Sequence, residues 1–179
     1  MAKSISWRGV NDAKIQVYPA SGTWTDILNV VSVTASPTVT KVEQRGDDAK
    51  VRDWYHSPAG TLTIACSSIN DDLIVMTQND PERTISSQQY GFYNTNKSLT
   101  PQTVSLQWTI NAYDEATGAT TPVVFYCPKA TASNPQPLNF NEAVGSFEYQ
   151  FDMASSANLV NGNALPGGLT KIMFYHVIG

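Results

Sequence analysis

Residues 103–113 read TVSLQWTINAY and residues 146–153 read SFEYQFDM. In the first, Val104, Leu106, Trp108, Ile110 and Ala112 alternate with Thr103, Ser105, Gln107, Thr109 and Asn111. In the second, Phe147, Tyr149, Phe151 and Met153 alternate with Glu148, Gln150 and Asp152. Successive side chains of a strand point to opposite faces, so a strict period of two predicts strands with one face on a core and the other in water.

The same period recurs outward from these two segments. Ala13–Tyr18 and the apolar run Trp24–Val33 read as strands, and Thr61–Cys66 (TLTIAC) as another. Thr38–Arg45 and Val51–His56 flank the turn residues Gly46-Asp47-Asp48 and predict a charged hairpin, punctuated from Thr61–Cys66 by Ser57-Pro58-Ala59-Gly60. One helix is predicted, with Ser68 as N-cap, Asp71 and Asp72 in its first turn, Ile69, Leu73 and Met76 on one face, and Asn79-Asp80-Pro81 as its end. Residues 82–102 are polar and weakly periodic and read as a long loop carrying Tyr90, Phe92 and Tyr93. Asp114–Gly118 turns the chain into Thr120–Cys127, Pro128–Pro137 reads as a connector, and LTKIMFYHVI (169–178) is apolar on both faces, as a strand covered on two sides would be. The expectation is one all-β domain over 1–179, a β-sandwich or barrel of about eight strands with one short flanking helix.

Composition limits the chemistry. The chain has 179 residues, 41% hydrophobic and only 15% charged, with a net charge of -4, a poor balance for gripping a phosphate backbone. Cys66 and Cys127 lie in alternating apolar runs and read as buried free thiols, consistent with folding in the cytosol, and no cysteine or histidine spacing suits zinc. No secretory h-region and no run of 18 apolar residues is found, so neither export by that route nor a membrane span is expected. No nucleophile elbow, phosphate loop, HExxH pair or EF-hand loop occurs. His56 reads as a surface residue and His176 as a core or interface residue; Asp47-Asp48, Asp71-Asp72 and Asp114-Glu115 sit where turns and helix starts favour Asp. Arg45-Gly46-Asp47, an adhesion tripeptide by spelling, is accounted for by the turn. The expectation is therefore a non-enzyme with no catalytic, metal or cofactor residues.

Charge is concentrated instead. Lys41, Glu43, Arg45, Asp47, Asp48, Lys50, Arg52 and Asp53 place eight of the chain's 26 charged residues in one hairpin, a self-complementary arm suited to register-setting contacts with a copy of itself. From Ser98 onward only Lys129 and Lys171 oppose Asp114, Glu115, Glu142, Glu148 and Asp152.

The succession TVTKVEQRGDDAKVRDWYHSPAGTLTIACSSINDDLIVMTQN (38–79), a charged hairpin, a P-x-G-T lead-in to an alternating strand and then a short helix, resembles the tail tube (major tail) proteins of tailed bacteriophages. The resemblance implies a β-sandwich subunit of the virion tail, assembled in the host cytoplasm into hexameric rings that stack into a tube for DNA ejection. Implied partners are further copies of itself, the tape measure, tail-tip or baseplate and tail terminator proteins, and a sheath if the tail contracts; DNA crosses the lumen without specific binding. The type VI secretion tube protein is similar in fold. A conduit for a polyanion needs a wall without cations, because each would add a phosphate contact. On polarity, Ser105, Gln107, Thr109, Glu148, Gln150 and Asp152 are the expected lumen-facing residues, and the 41–53 hairpin the expected contact between subunits or rings. A carbohydrate-binding β-sandwich using Trp7, Trp24, Trp54 and Trp108 as stacking platforms is the alternative from a different class.

Overall fold

A computed structural model describes residues 5–19, 23–46, 49–70, 73–74, 83–85, 88–90, 101–115, 117–133, 147–158, 163–164, 171 and 173–177. The strands are β1 (Ile5–Val17), β2 (Thr25–Asp26), β3 (Val30–Gly46), β4 (Ala49–Cys66), β5 (Arg83–Ile85), β6 (Gln88–Tyr90), β7 (Thr103–Asp114), β8 (Thr120–Ala132), β9 (Phe147–Ala154) and β10 (Phe174–Val177). The all-β class holds. Eight of these strands join one antiparallel sheet, seven in the order β2-β1-β7-β8-β9-β4-β3 and β10 off this path on β8, while β5 and β6 pair with each other. β9 and β10 share one edge of β8: β9 lies along Ala130–Ala132 and β10 along Val123–Tyr126.

The alternation of the sequence becomes the inside and outside of this sheet. Ile15, Leu62, Ile64, Val104, Leu106, Tyr149 and Phe151 are all buried in one core cluster, to which Val33 and Ala35 of β3 add their side chains. β1 and β3, far apart in strand order, approach each other, so the sheet wraps around that core. Each large apolar side chain withdrawn from water here contributes about 1.5–3 kcal/mol before entropy is counted. Across the sheet, Pro37 pairs with Gly60, Gly60 with Met153, and Met153 with Ala130. A Cβ on Gly60 would lie 2.8 Å from Met153 Cε, 2.8 Å from Ser36 O and 2.9 Å from Pro37 Cα, which explains why this position carries no side chain.

Several expected boundaries move. The run Trp24–Val33 is two strands, split where Asn29 takes φ 57° and a turn intervenes. Ser57-Pro58 does not break the hairpin strand, since β4 runs through it and the extra residues are absorbed as a register shift between Thr38 and Thr40. Likewise β8 continues past Pro128 to Ala132. Asn70, not Ser68, caps the helical turn: its Oδ1 accepts the Leu73 N–H at 3.1 Å and its carbonyl the Ile74 N–H at 3.1 Å. Ser68 Oγ instead accepts the Asn29 amide at 2.8 Å, and Ile69 precedes the helical turn and is exposed. Leu73 is buried as expected; Asp71, Asp72 and the remainder of the predicted helix, from residue 75, lie outside the described residues.

Within the predicted loop 82–102, β5 and β6 form a short hairpin; Phe92 and Tyr93 lie outside the described residues. The turn after β7 is closed by Gly118 N–H to Asp114 O at 2.8 Å with Gly118 at φ 71°. After β9, Ser156 and Lys171 exchange both backbone hydrogen bonds, at 2.9 and 3.0 Å. The terminal strand is not covered on both sides: Tyr175 is 64% exposed, and among the described residues β10 pairs only with β8.

Candidate assembly surfaces

The outward face of β3, β4 and β9 is a polar surface. Register aligns Ser36 with Thr61, Thr61 with Asp152, Asp152 with Thr131, and Thr131 with Thr103, so one row of hydroxyls and a carboxylate crosses five strands. Thr103 and Thr131 share a hydroxyl hydrogen bond at 3.4 Å. Thr34, Thr63 and Gln150 form the next row, then Ser32, Ala65 and Glu148. Glu148, Gln150 and Asp152 are exposed, as their alternation predicts. No lysine or arginine occurs in residues 30–38, 59–66 or 147–154, so these three strand segments present a neutral to acidic face. The hydroxyls of β3 and β4 were not assigned to this face from sequence; only the strand order brings them beside β9.

The β7 residues behave differently. Ser105 is fully buried, and its hydroxyl donates to Pro128 O at 2.7 Å. Its expected exposure is therefore not met: the shift in β7–β8 register between Val104 and Leu106 sets Ser105 against the β8 backbone, where its polarity serves a buried hydrogen bond. Gln107 and Thr109 are half-buried, and Gln16, opposite Ser105, is buried as well.

The charged arm is the far part of the β3–β4 hairpin. β4 pairs with β9 only over Ala59–Cys66, so among the described residues the pairs from Thr40↔His56 to Gly46↔Ala49 form a two-stranded ribbon without a third strand. Such ribbons are marginal alone in water. Its register opposes Glu43 to Asp53 and Arg45 to Lys50. Along β3 itself Lys41, Glu43 and Arg45 alternate in charge. Gln44 opposes Arg52, and Val42 opposes Trp54. Asp47 and Asp48 lie outside the described residues.

No protein-family model matches the chain, and no curated protein matches it. The surfaces must therefore be judged on their own chemistry.

At the other end of β3, Lys14 Nζ lies 3.4 Å from Asp12 and 3.2 Å from Asp26. The hydrogen bond that Lys14 donates to Asp26 and the charge of Asp12 raise the Lys14 pKa above its usual value, holding it protonated. Beside it, Asp12, Asp26, Leu28 and Val30 line a cleft of about 300 Å³. Leu28 and Val31 are 64% and 61% exposed, and sequence reasoning had placed both inside a strand-like apolar run. The signal that separates them from the core is Asn29, a residue type enriched at positive φ among the non-glycine residues. Cys66 and Cys127 are free and buried, as expected; desolvation pushes their thiols up to about 11 and about 12.

Proposed function

We propose that the chain is a structural assembly subunit, the subunit of a bacteriophage tail tube, closing into hexameric rings that stack into a conduit for DNA. The observation that carries this reading is the polar face formed by residues 30–38 of β3, 59–66 of β4 and 147–154 of β9, which hold no lysine or arginine, with the core behind it and the two-stranded arm continuing beyond it. A wall made of hydroxyl, amide and carboxylate groups offers a transiting polyanion no cation whose phosphate contact would release counterions. Glu148, Gln150 and Asp152 line this wall with Ser32, Thr34, Ser36, Thr61 and Thr63, while Ser105 belongs to the packing behind the strands. The arm supplies subunit contacts, and ring closure gives partners to edges such as that of β10. Tape measure, tail-tip and terminator proteins would meet the ends of the tube, and the site of action is the virion tail. No catalytic role is part of this reading.

The carbohydrate-binding alternative loses one of its platforms: Trp108 is buried and stacks on Phe125 at 5.7 Å, leaving its ring no open face of useful size. Negative-stain electron microscopy of the purified chain, alone and seeded with tail-tip complex, tests the proposal. Stacked rings with a central hole are expected; particles that stay monomeric under both conditions would refute it.

A further inference from the structure

One row of the sheet runs from the core out into solvent. Register places Ala13 beside Trp108, Trp108 beside Phe125 and Phe125 beside Tyr175, so the row crosses β1, β7, β8 and β10 at one level. Ala13 and Trp108 are buried, Phe125 is partly buried against the core, and Tyr175 is exposed. The rings support one another in series: Trp108 stacks on Phe125 at 5.7 Å, and Tyr175 tilts against Phe125 at 5.6 Å. Tyr175 is therefore an aromatic side chain steadied by the core yet open to solvent, the type that anchors interfaces at small entropic cost. Lys171, upstream on the same segment, is exposed as well, and both of its backbone hydrogen bonds with Ser156 fix its place.

The cleft of about 300 Å³ lies at the opposite end of that row, where β1 meets β2 and the turn into β3. Val10, Leu28 and Val30 give it apolar atoms suited to a ring, and Asn11, Asp12 and Asp26 give it polar atoms suited to a phenol. Asp12, Asp26 and Lys14 together carry one net negative charge. Beside Leu28, Val31 and Ile69 are further exposed apolar residues, and their segments are tied together by the Ser67 N–H to Asn29 O at 2.9 Å and the Asn29 amide to Ser68 Oγ at 2.8 Å. β7 and β8 stand between β10 and β1, a separation of roughly 14 Å at ~4.8 Å per strand, so Tyr175 cannot enter the cleft of its own molecule.

We infer that Tyr175 of one copy of this chain inserts into the cleft between β1, β2 and the β2–β3 turn of a second copy, with Lys171 beside that copy's Asp12 and Asp26. From Ser98 onward the only cations are Lys129, which sits over the Tyr18 ring at 5.7 Å, and Lys171, so Lys171 is the cation that the β10 side offers to an acidic cleft. The ring supplies burial, and the lysine and carboxylates supply orientation. Knob and cleft are different surfaces at the two ends of one row, so the contact is head-to-tail and repeats at one level, as closing a ring requires. This docking rests on the tube reading and specifies which surfaces meet within a ring.

Two variants of the full chain separate the halves of the contact. Tyr175→Ala removes the knob and keeps the cleft, while Leu28→Asp spoils the cleft and keeps the knob; both positions are exposed. Each variant alone is expected to assemble at least tenfold more slowly than the parent. Mixed, the two are expected to give a one-to-one dimer in sedimentation velocity that grows no further, because its sound knob and sound cleft are already joined. A second measurement needs no substitution: carbodiimide treatment of mixed labelled and unlabelled parent chain should couple Lys171 of one copy to Asp12 or Asp26 of another, read by mass spectrometry. Assembly of either variant at the parent rate, no dimer from the mixed folded variants, or parent rings without the Lys171 cross-link each overturns the docking, and parent rings leave the tube reading standing. The mixed dimer or the cross-link in a chain that never makes rings supports the docking and counts against the tube. Neither dimer, cross-link nor rings overturns both.

Discussion

The phenol oxygen of Tyr149 accepts the backbone N–H of Asn70 at 3.0 Å, fastening the middle of β9 to the start of the helical turn. Both residues are buried, and Asn70 in turn caps Leu73. Tyr149→Phe keeps the ring in the core but leaves a buried N–H without its acceptor, so a loss of about 1–3 kcal/mol is expected. Urea denaturation should give a lower midpoint at constant slope, and the Asn70 amide should exchange faster. An unchanged midpoint would mean that water replaces the phenol at no cost.

Gly60→Ala should destabilise the fold by about 1–3 kcal/mol through overpacking. Of the three atoms an added Cβ would meet, only Met153 Cε ends a flexible side chain; Ser36 O and Pro37 Cα are backbone. Adding Met153→Ala to Gly60→Ala should therefore not restore stability. Recovery in the double variant by thermal unfolding would show that the side chain alone set the limit.

Thr63→Lys with Gln150→Lys puts two cations on the polar face at paired positions. Both sites are at least partly exposed, so the monomer should lose no more than about 1 kcal/mol, the cost of two like charges opposed across strands. Assembled tubes of this variant should retain DNA with a steep salt dependence, log affinity falling by about 0.9 per added phosphate contact per decade of salt, where the parent tubes retain none. DNA passage at equal rates through both, followed by ejection assays, would remove these residues from the wall.

Asp53→Lys converts the Glu43–Asp53 opposition into an opposite-charge pair, and a gain of about 0.2–1 kcal/mol in the ribbon is expected. Amides of residues 41–55 should exchange more slowly than in the parent chain. The complementary test reverses Arg45 and Arg52 to Glu: folded monomer should persist while assembly is lost, and normal-length tubes would exclude the arm from the contact.

With native thiol pKa values near 11 and 12 for Cys66 and Cys127 and an ordinary value near 9 when unfolded, the unfolded chain releases these protons first as pH rises. Their contribution to stability is therefore complete below pH 9 and is lost as pH climbs from 9 through the native values. Chemical denaturation at pH 8 and pH 10.5 should give a lower stability at the higher pH, and the difference should shrink in the Cys66→Ala, Cys127→Ala variant. Thiol reagents at pH 8 should label the folded chain only at its rate of opening.

Alternation in β7 and β9 was legible because each strand has one face on the core; Leu106 and Phe151 could be placed from the period alone. Ser105 was not, since a polar residue at an outward position looks the same in sequence whether it meets solvent or, as here, the carbonyl of Pro128 after a register shift. Gly and Pro misled for a related reason. Ser57-Pro58 and Pro128 read as breaks, but an antiparallel ladder can absorb them within continuous strands. The hairpin was visible from its turn chemistry, whereas the opposition of Glu43 to Asp53 depends on a register that composition does not encode. The β3 and β4 hydroxyls joined the polar face only through strand order, a long-range property.

The paired hydrogen bonds of Ser156 and Lys171 act as a neck that holds both ends of the intervening chain at fixed positions beside β9. Lengthening a closed excursion of this kind costs only about 0.6 kcal/mol per doubling. Foreign peptide or a whole passenger domain could therefore be grafted between these two anchors while the sheet keeps its pairing, making this neck the natural attachment point for a fusion.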